Sequence, residues 1–206
     1  PIPERVDRAL DRVGRWIMLQ NKPNSEKVVG IIYYNYPPGK NNIGASYLNA
    51  VESISSILKR MGEEGYRVGR PDQIDPDVLL ENILRYGRNV GNWAPGEVRK
   101  MVDTEKCTLI PVEEYRTWLN GIHPVLKEQV LLDWGPPEKT DVMTWTDPKT
   151  GNRFIVIPTV RSGNVVLLPQ PIRGWSQNPE KMMHQLRLAP HHQYMATHLW
   201  FHHKLK

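Results

Sequence analysis

Apolar residues recur at three-and-four spacing near the start of the chain. Val6, Leu10, Val13, Trp16 and Ile17 fall on one stripe, which predicts an amphipathic helix over residues 4–19 with Pro3 in its first turn. A polar linker containing Pro23 follows at 21–25. The period then changes. Val28, Val29, Ile31 and Ile32 form a nearly continuous apolar run, which predicts a strand over 27–34 buried on both faces. Beyond a polar loop at 35–44, Leu48, Val51, Ile54, Ile57, Leu58 and Met61 mark the apolar side of a helix over 46–61. Gly65 closes that helix and a second strand is expected to start at 66–68, giving the β-loop-α-β opening of a parallel sheet.

Residues 75–134 read as a mainly helical insertion. Asp75 and Pro76 are a cap and a first helical position, for a helix reaching about Tyr86. Pro111 begins another through Tyr115, Trp118 and Leu119, and a third is expected over 123–132. The turn-rich run Trp134-Gly135-Pro136-Pro137 ends the insertion. Short apolar runs at 154–158 and 164–168, joined by Arg161-Ser162-Gly163, then read as a hairpin or adjacent strands, 170–190 as a loop, and 191–205 as a final helix. The class is α/β, a parallel or mixed sheet with flanking helices and a helical insertion. Its expected parts are 1–26 (helix and linker), 27–74 (first β-loop-α-β unit), 75–134 (insertion) and 135–206 (return to the sheet, and the final helix).

Composition narrows the setting. The 206 residues give room for one sizeable domain or two small lobes. A single cysteine, Cys107, cannot close an internal disulfide and points to a reducing, cytoplasmic compartment. No apolar run approaches the roughly 18 residues of a membrane span. The formal charge is +5, but bases and acids interleave, as in Arg5-Val6-Asp7-Arg8, so a nucleic-acid partner is not expected. Mild basicity also suits an acidic small molecule.

Three groups of residues carry candidate chemistry. The loop at 35–44 follows a strand, and Asn35, Asn41, Asn42 and Gly44 offer amides and carbonyls where α/β sheets collect ligands. It is not a nucleotide loop, because Gly39-Lys40 is followed by Asn41 rather than Ser or Thr. Histidines at 184, 191, 192, 198, 202 and 203 form the second group; His191, His198 and His202 share a helix face, and neutral imidazole binds divalent metals or takes up protons. His202 and His203 read better as packed or solvent-facing positions, since no carboxylate or cysteine completes a ligand set. Trp134, Trp145, Trp175, Trp200 and Tyr194 are aromatic surfaces that could stack on a flat ring or fill a core.

Three blocks in order resemble the family that holds the large subunits of cobaltochelatase and the corresponding large subunits of magnesium chelatase. They are the strand at 28–34 with Asn35-Tyr36-Pro37-Pro38 and Ile43-Gly44; Val160-Arg161-Ser162-Gly163-Asn164-Val165 leading to Leu168-Pro169-Gln170-Pro171 and Arg173-Gly174-Trp175; and Ala189-Pro190-His191-His192-Gln193-Tyr194. The last block looks closer to the cobalt branch. The resemblance implies an internal piece of a much larger subunit that binds a corrinoid or porphyrin precursor, with a cobalt or magnesium ion as substrate. It also implies an AAA+ ATPase partner that uses the ATP, a second accessory subunit, a further catalytic segment beyond Lys206, and no activity in the isolated piece. Metal insertion needs a ligand for the ion and an acceptor for two pyrrole protons, and the resemblance assigns both tasks to His191 and His192. Asn35, Gly44, Arg161, Arg173, Trp175 and Tyr194 become candidate substrate contacts, the arginines through substrate carboxylates. A scaffold domain that docks the ATPase partners without touching substrate is the alternative.

Overall fold

The computed structural model describes residues 2–35, 43–44, 47–91, 94–104, 106–173 and 188–205. Helix α1 (Pro3–Asn21) begins with proline in its first turn and buries none of its side chains. Strand β1 (Val29–Tyr33) leads to α2 (Ala50–Glu63), capped by the Asn49 side chain accepting from the Glu52 N–H. Helix α3 (Pro76–Tyr86) starts as expected, with the Asp75 carboxylate accepting from Asp77 N–H and Pro76 at the first position. Then come α4 (Pro95–Asp103), β2 (Thr108–Pro111), α5 (Val112–Asn120) and α6 (Pro124–Trp134). The chain continues through β3 (Thr144–Thr146), β4 (Arg153–Ile157), β5 (Val160–Ser162) and β6 (Val165–Pro169) to α7 (His192–Lys204).

The strands form two sheets. One is mixed, in the order β1-β6-β5, with β1 parallel to β6 and β5 antiparallel to it; the other is antiparallel, in the order β2-β4-β3. Strand β6 is central and buried along its whole length. Its side chains alternate. Val165 and Leu167 pack with Ile54, Leu58, Leu79 and Ile83 of α2 and α3, whereas Val166 and Leu168 pack with Tyr115, Trp118, Ala196 and Trp200 of α5 and α7. Fully burying each such aliphatic side chain contributes about 1.5–3 kcal/mol, so β6 anchors both layers of the core.

Several expectations are corrected. The continuous apolar run at 28–32 does not make a strand buried on both faces: β1 lies at the sheet edge, and Ile32 is 48% exposed. Helix α7 covers β6 but reaches β1 near Gly30, where an added Cβ would sit 3.4 Å from the Phe201 ring. Residues 66–68 form no strand; Arg67 instead accepts the Asn164 N–H at 2.8 Å, beside the turn between β5 and β6. The parallel partner of β1 is therefore β6, far along the chain. The hairpin is β5-β6, not a pairing with 154–158, which belongs to the second sheet. Gly163 sits in its turn at φ +60°, and a Cβ there would collide with the Arg67 carbonyl. The helical insertion also holds β2, which contributes an edge of the second sheet.

Candidate functional site

The crevice opens where β1 and β6 end side by side. Tyr33 is paired with Pro169, and the Gln170 N–H extends the pairing by donating to Tyr33 O at 2.8 Å. Just beyond lies a cavity of about 230 Å³ lined by Tyr34, Asn35, Gln170, Pro171, Ile172, Arg173 and Tyr194. Asn35 and Pro171 are buried in its floor, while Arg173 and Gln170 stand exposed at its rim. Arg173 is exposed and makes no ion pair among the described residues, and a guanidinium fork is a geometric match for a carboxylate. Whole small-molecule sites usually measure roughly 300–1,000 Å³, so this crevice suits one edge or one substituent of a large ligand.

Asn35, where the expected loop begins, stands at the carboxyl end of a parallel strand and bridges to Ile43, while residues 36–42 of that loop lie outside the described residues. Gly44 is half-buried, does not line the crevice, and would have room for a Cβ. Asn41 and Asn42 lie outside the described residues, as do His184 and Trp175.

His191 and His192 begin the final helix as predicted, but their ring nitrogens are engaged inside the protein. His191 caps α7: its Nδ1 accepts the Gln193 N–H at 3.2 Å, so Nε2 carries the proton and donates to Thr140 Oγ1 at 3.0 Å. His192 Nε2 donates to the Gly135 carbonyl at 2.9 Å, and its Nδ1 accepts from the Tyr115 hydroxyl at 2.9 Å. Both rings are buried. Burial, with the neighbouring His192 adding to it, pushes His191 down to about 3, and burial lowers His192 as well. The imidazoles are thus held neutral, but by desolvation rather than by a helix dipole. In this arrangement neither can bind a metal or accept a proton without giving up an interior hydrogen bond. Neither lines the crevice. What α7 presents there is Tyr194, one residue past Gln193 on the outward side. The link is mechanical: His191 N–H donates to Arg173 O at 2.9 Å, fixing the start of α7 to the crevice wall.

Arg161 and Arg173 do not share a site. Arg161 borders a separate cavity of about 470 Å³ with Asn82, Lys106 and Ser162, and its guanidinium lies 6.0 Å from the Trp200 ring. Trp200 itself is core, and Trp134 donates its indole N–H to Ala189 O at 2.7 Å, so both act in packing. Cys107 is half-buried, and burial raises its thiol to about 11, so little of it is thiolate near neutral pH. No group of three or more His, Cys, Asp or Glu able to hold a metal occurs among the described residues. No helix among them is long and apolar enough to cross a membrane.

One residue at the crevice has no sequence signal. Asn89, in the segment after α3, is fully buried and contacts both strand ends, Asn35 and Gln170. Only an isolated amide between two helical stretches marks it in the sequence.

A mixed α/β unit with a small crevice at the carboxyl ends of two parallel strands defines the general class. The sequence matches the family model described as CobN/Magnesium Chelatase over residues 1–206, and the chain belongs to that family. It is 30% identical over 203 residues to an uncharacterized protein of Methanocaldococcus jannaschii, covering 97% of this chain and 15% of that protein. It is 26% identical to the aerobic cobaltochelatase CobN polypeptide of Sinorhizobium sp, covering 95% and 14%, and 27% identical to the H-type polypeptide of the Rhodobacter capsulatus magnesium chelatase, covering 97% and 15%. The catalytic subunit of cobaltochelatase from Mycobacterium tuberculosis superposes with a TM-score of 0.67 at 27% identity, over 89% of this chain and 14% of that one. The chain therefore spans about one-seventh of the length of these relatives.

Proposed function

We propose that the chain is part of the tetrapyrrole-handling large subunit of a cytoplasmic, ATP-dependent metal chelatase, and that the crevice beyond β1 and β6 grips one edge of the macrocycle. The observation that carries this reading is the convergence of Asn35, Gln170, Arg173 and Tyr194 at the ends of two parallel strands. The exposed Arg173 fork fits a peripheral carboxylate, and the Tyr194 ring offers a face to the conjugated system. A cavity of about 230 Å³ is too small for the whole ring, so other parts of the subunit complete the site. Cobalt is the favoured substrate ion and magnesium the alternative. ATP is hydrolysed by an AAA+ partner, assisted by a second accessory subunit. His191 and His192 serve by holding the first turn of α7, and with it Tyr194, against the crevice wall.

The test is Arg173→Ala in the full-length large subunit, titrated with a free-base porphyrin carrying propionate groups and followed by its absorbance. Loss of a charge-assisted pair is expected to raise the dissociation constant about tenfold. An unchanged constant in a folded variant removes the crevice from the substrate path. The exposed apolar stripe of α1 favours a second reading, a scaffold that docks the partner subunits. Under that reading, Arg173→Ala leaves porphyrin binding intact, and substitutions on α1 abolish capture of the partners.

A further inference from the structure

Asn89 sits on a short strap, residues 87–90, laid across the ends of β1 and β6. Its backbone N–H donates to Asn35 Oδ1 at 2.7 Å. Its side-chain amide donates to Gln170 O at 2.8 Å and reaches Asn35 O at 3.4 Å. Asn35 follows β1 and Gln170 follows β6, so a single carboxamide ties together the two strand ends that line the crevice. The same residue's backbone fixes the direction of the Asn35 side chain.

The chemistry of the position is restrictive. Aspartate has the same shape but lacks the amide hydrogens and sets a carboxylate against two carbonyl oxygens. A leucine removes the donor to Gln170 O and the longer contact to Asn35 O. Flipping the amide brings Oδ1 against the same oxygens, so the orientation is forced. In that orientation Oδ1 is buried and has no hydrogen-bond partner among the described residues. Native interiors rarely keep such an acceptor, because leaving it unpaired is costly. Here the cost accompanies the bonds by which Asn89 joins the ends of β1 and β6.

The strap has a second pin that serves as an internal control. The buried Tyr33 hydroxyl donates to Gly87 O, and burial holds that phenol well above its usual range. The Tyr33 hydroxyl reaches the strap at Gly87 and touches neither Asn35 nor Gln170, while the Tyr33 backbone carbonyl, which accepts the Gln170 N–H at 2.8 Å, is kept in Tyr33→Phe.

We propose that Asn89 is a positioning residue for the crevice, fixing the separation of the β1 and β6 ends and the aim of Asn35 without touching ligand itself. This rests on the crevice reading above. The test uses the full-length large subunit, with Asn89→Asp, Asn89→Ser and Tyr33→Phe compared by porphyrin titration, thermal melting, and KM and kcat for metal insertion in the assembled complex. Asn89→Asp is expected to raise the dissociation constant and KM about tenfold while kcat at saturation stays within about twofold. Asn89→Ser, which keeps one hydroxyl donor and adds no charge, should fall between it and wild type, and it stands in for the aspartate variant if that one does not fold. Tyr33→Phe should lower the melting temperature and leave the dissociation constant unchanged. If affinity falls in step with melting temperature in all three variants, or stays unchanged in folded Asn89 variants, the proposal is overturned. Failure of Arg173→Ala to weaken binding points instead to failure of the crevice reading; a silent Asn89 beside a responsive Arg173 defeats this inference alone.

Discussion

In α1, Leu10 is 64% exposed and Trp16 61% exposed, whereas in α7 His192, Ala196 and Thr197 are each 0% exposed. The first helix carries a regular apolar stripe on Val6, Leu10, Val13 and Ile17, and none of it is buried against the rest of this chain. The last helix mixes histidine, glutamine and threonine with its apolar residues, yet it lies in the centre of the larger core. What separates them is polar satisfaction. The His191 cap, the two hydrogen bonds of His192 and the Thr197 hydroxyl donating to Gln193 O at 2.8 Å give most of the buried polar groups of α7 a partner. Helix α1 offers apolar area but meets no complementary surface among the described residues. Burial thus follows from the surroundings an element finds, with amphipathic pattern only one contribution.

The sharpest way to break this contrast is His192→Leu. The substitution keeps an apolar side chain of moderate size but strips partners from the Tyr115 hydroxyl and the Gly135 carbonyl. Leaving two interior polar groups unpaired is expected to cost about 2–4 kcal/mol. Tyr115→Phe alone should cost about 1–2 kcal/mol, and the double variant less than the sum of the two, because the hydroxyl orphaned by the leucine is then absent. Denaturant unfolding of the four proteins gives the cycle; strict additivity would mean that the Tyr115–His192 bond does not hold α7 in place.

Local signals are legible in the sequence. The proline-led helix starts at Pro3 and Pro76, the Asp75 cap and the Gly163 turn all stand where their chemistry places them. Non-local facts are not legible. Strand β1 pairs with β6 across more than a hundred intervening residues, and no periodicity in either segment encodes that partner. Strands β2 and β3, with 4 and 3 residues, are too short for alternation to show, and β2 hides between helices. At the crevice, Asn35, Arg173 and Tyr194 stand out because they sit in recognisable blocks. Asn89 does not, because its role depends on two carbonyls from distant strands. The paired histidines are conspicuous as residues, but the hydrogen bonds that hold both rings come from Thr140, Tyr115 and Gly135, which no spacing rule connects to them.

The next effect in size is a pH dependence confined to the α7 end. His191 is lowered to about 3 by burial and by its neighbour, whereas in the unfolded chain it titrates near its ordinary value of 6.5. For a base with a depressed folded value, acid protonates the unfolded state first. The stability it supplies is complete above the unfolded value and is lost as pH falls from there toward the folded one. Between about pH 7 and about pH 5, His191 alone should withdraw about 2 kcal/mol, and His192 shifts in the same direction. His191→Asn keeps a side-chain acceptor for the cap but does not titrate in this range. Its stability should therefore fall less steeply than wild type over that interval. Parallel curves from urea titrations at each pH would show that the ring is hydrated in solution and not sealed under Trp134 and Thr140.

The smallest effect belongs to α1. Replacing Leu10 or Trp16 with serine in this chain removes side chains that are already in water, 64% and 61% exposed. Surface changes of this kind usually alter stability by less than about 0.5 kcal/mol, and the lower helix propensity of serine accounts for most of that. The unfolding midpoint should stay close to wild type. The emission lost on Trp16→Ser, taken as a difference spectrum against wild type, should be that of a water-exposed indole. A contiguous apolar stripe also favours self-association, so the serine variants should sediment with less concentration dependence than wild type. A loss approaching that of His192→Leu, or a blue-shifted Trp16 difference spectrum in dilute protein, would mean that α1 folds back onto the body of the chain. The opposition between the two helices would then vanish, because both would draw their stability from the same core.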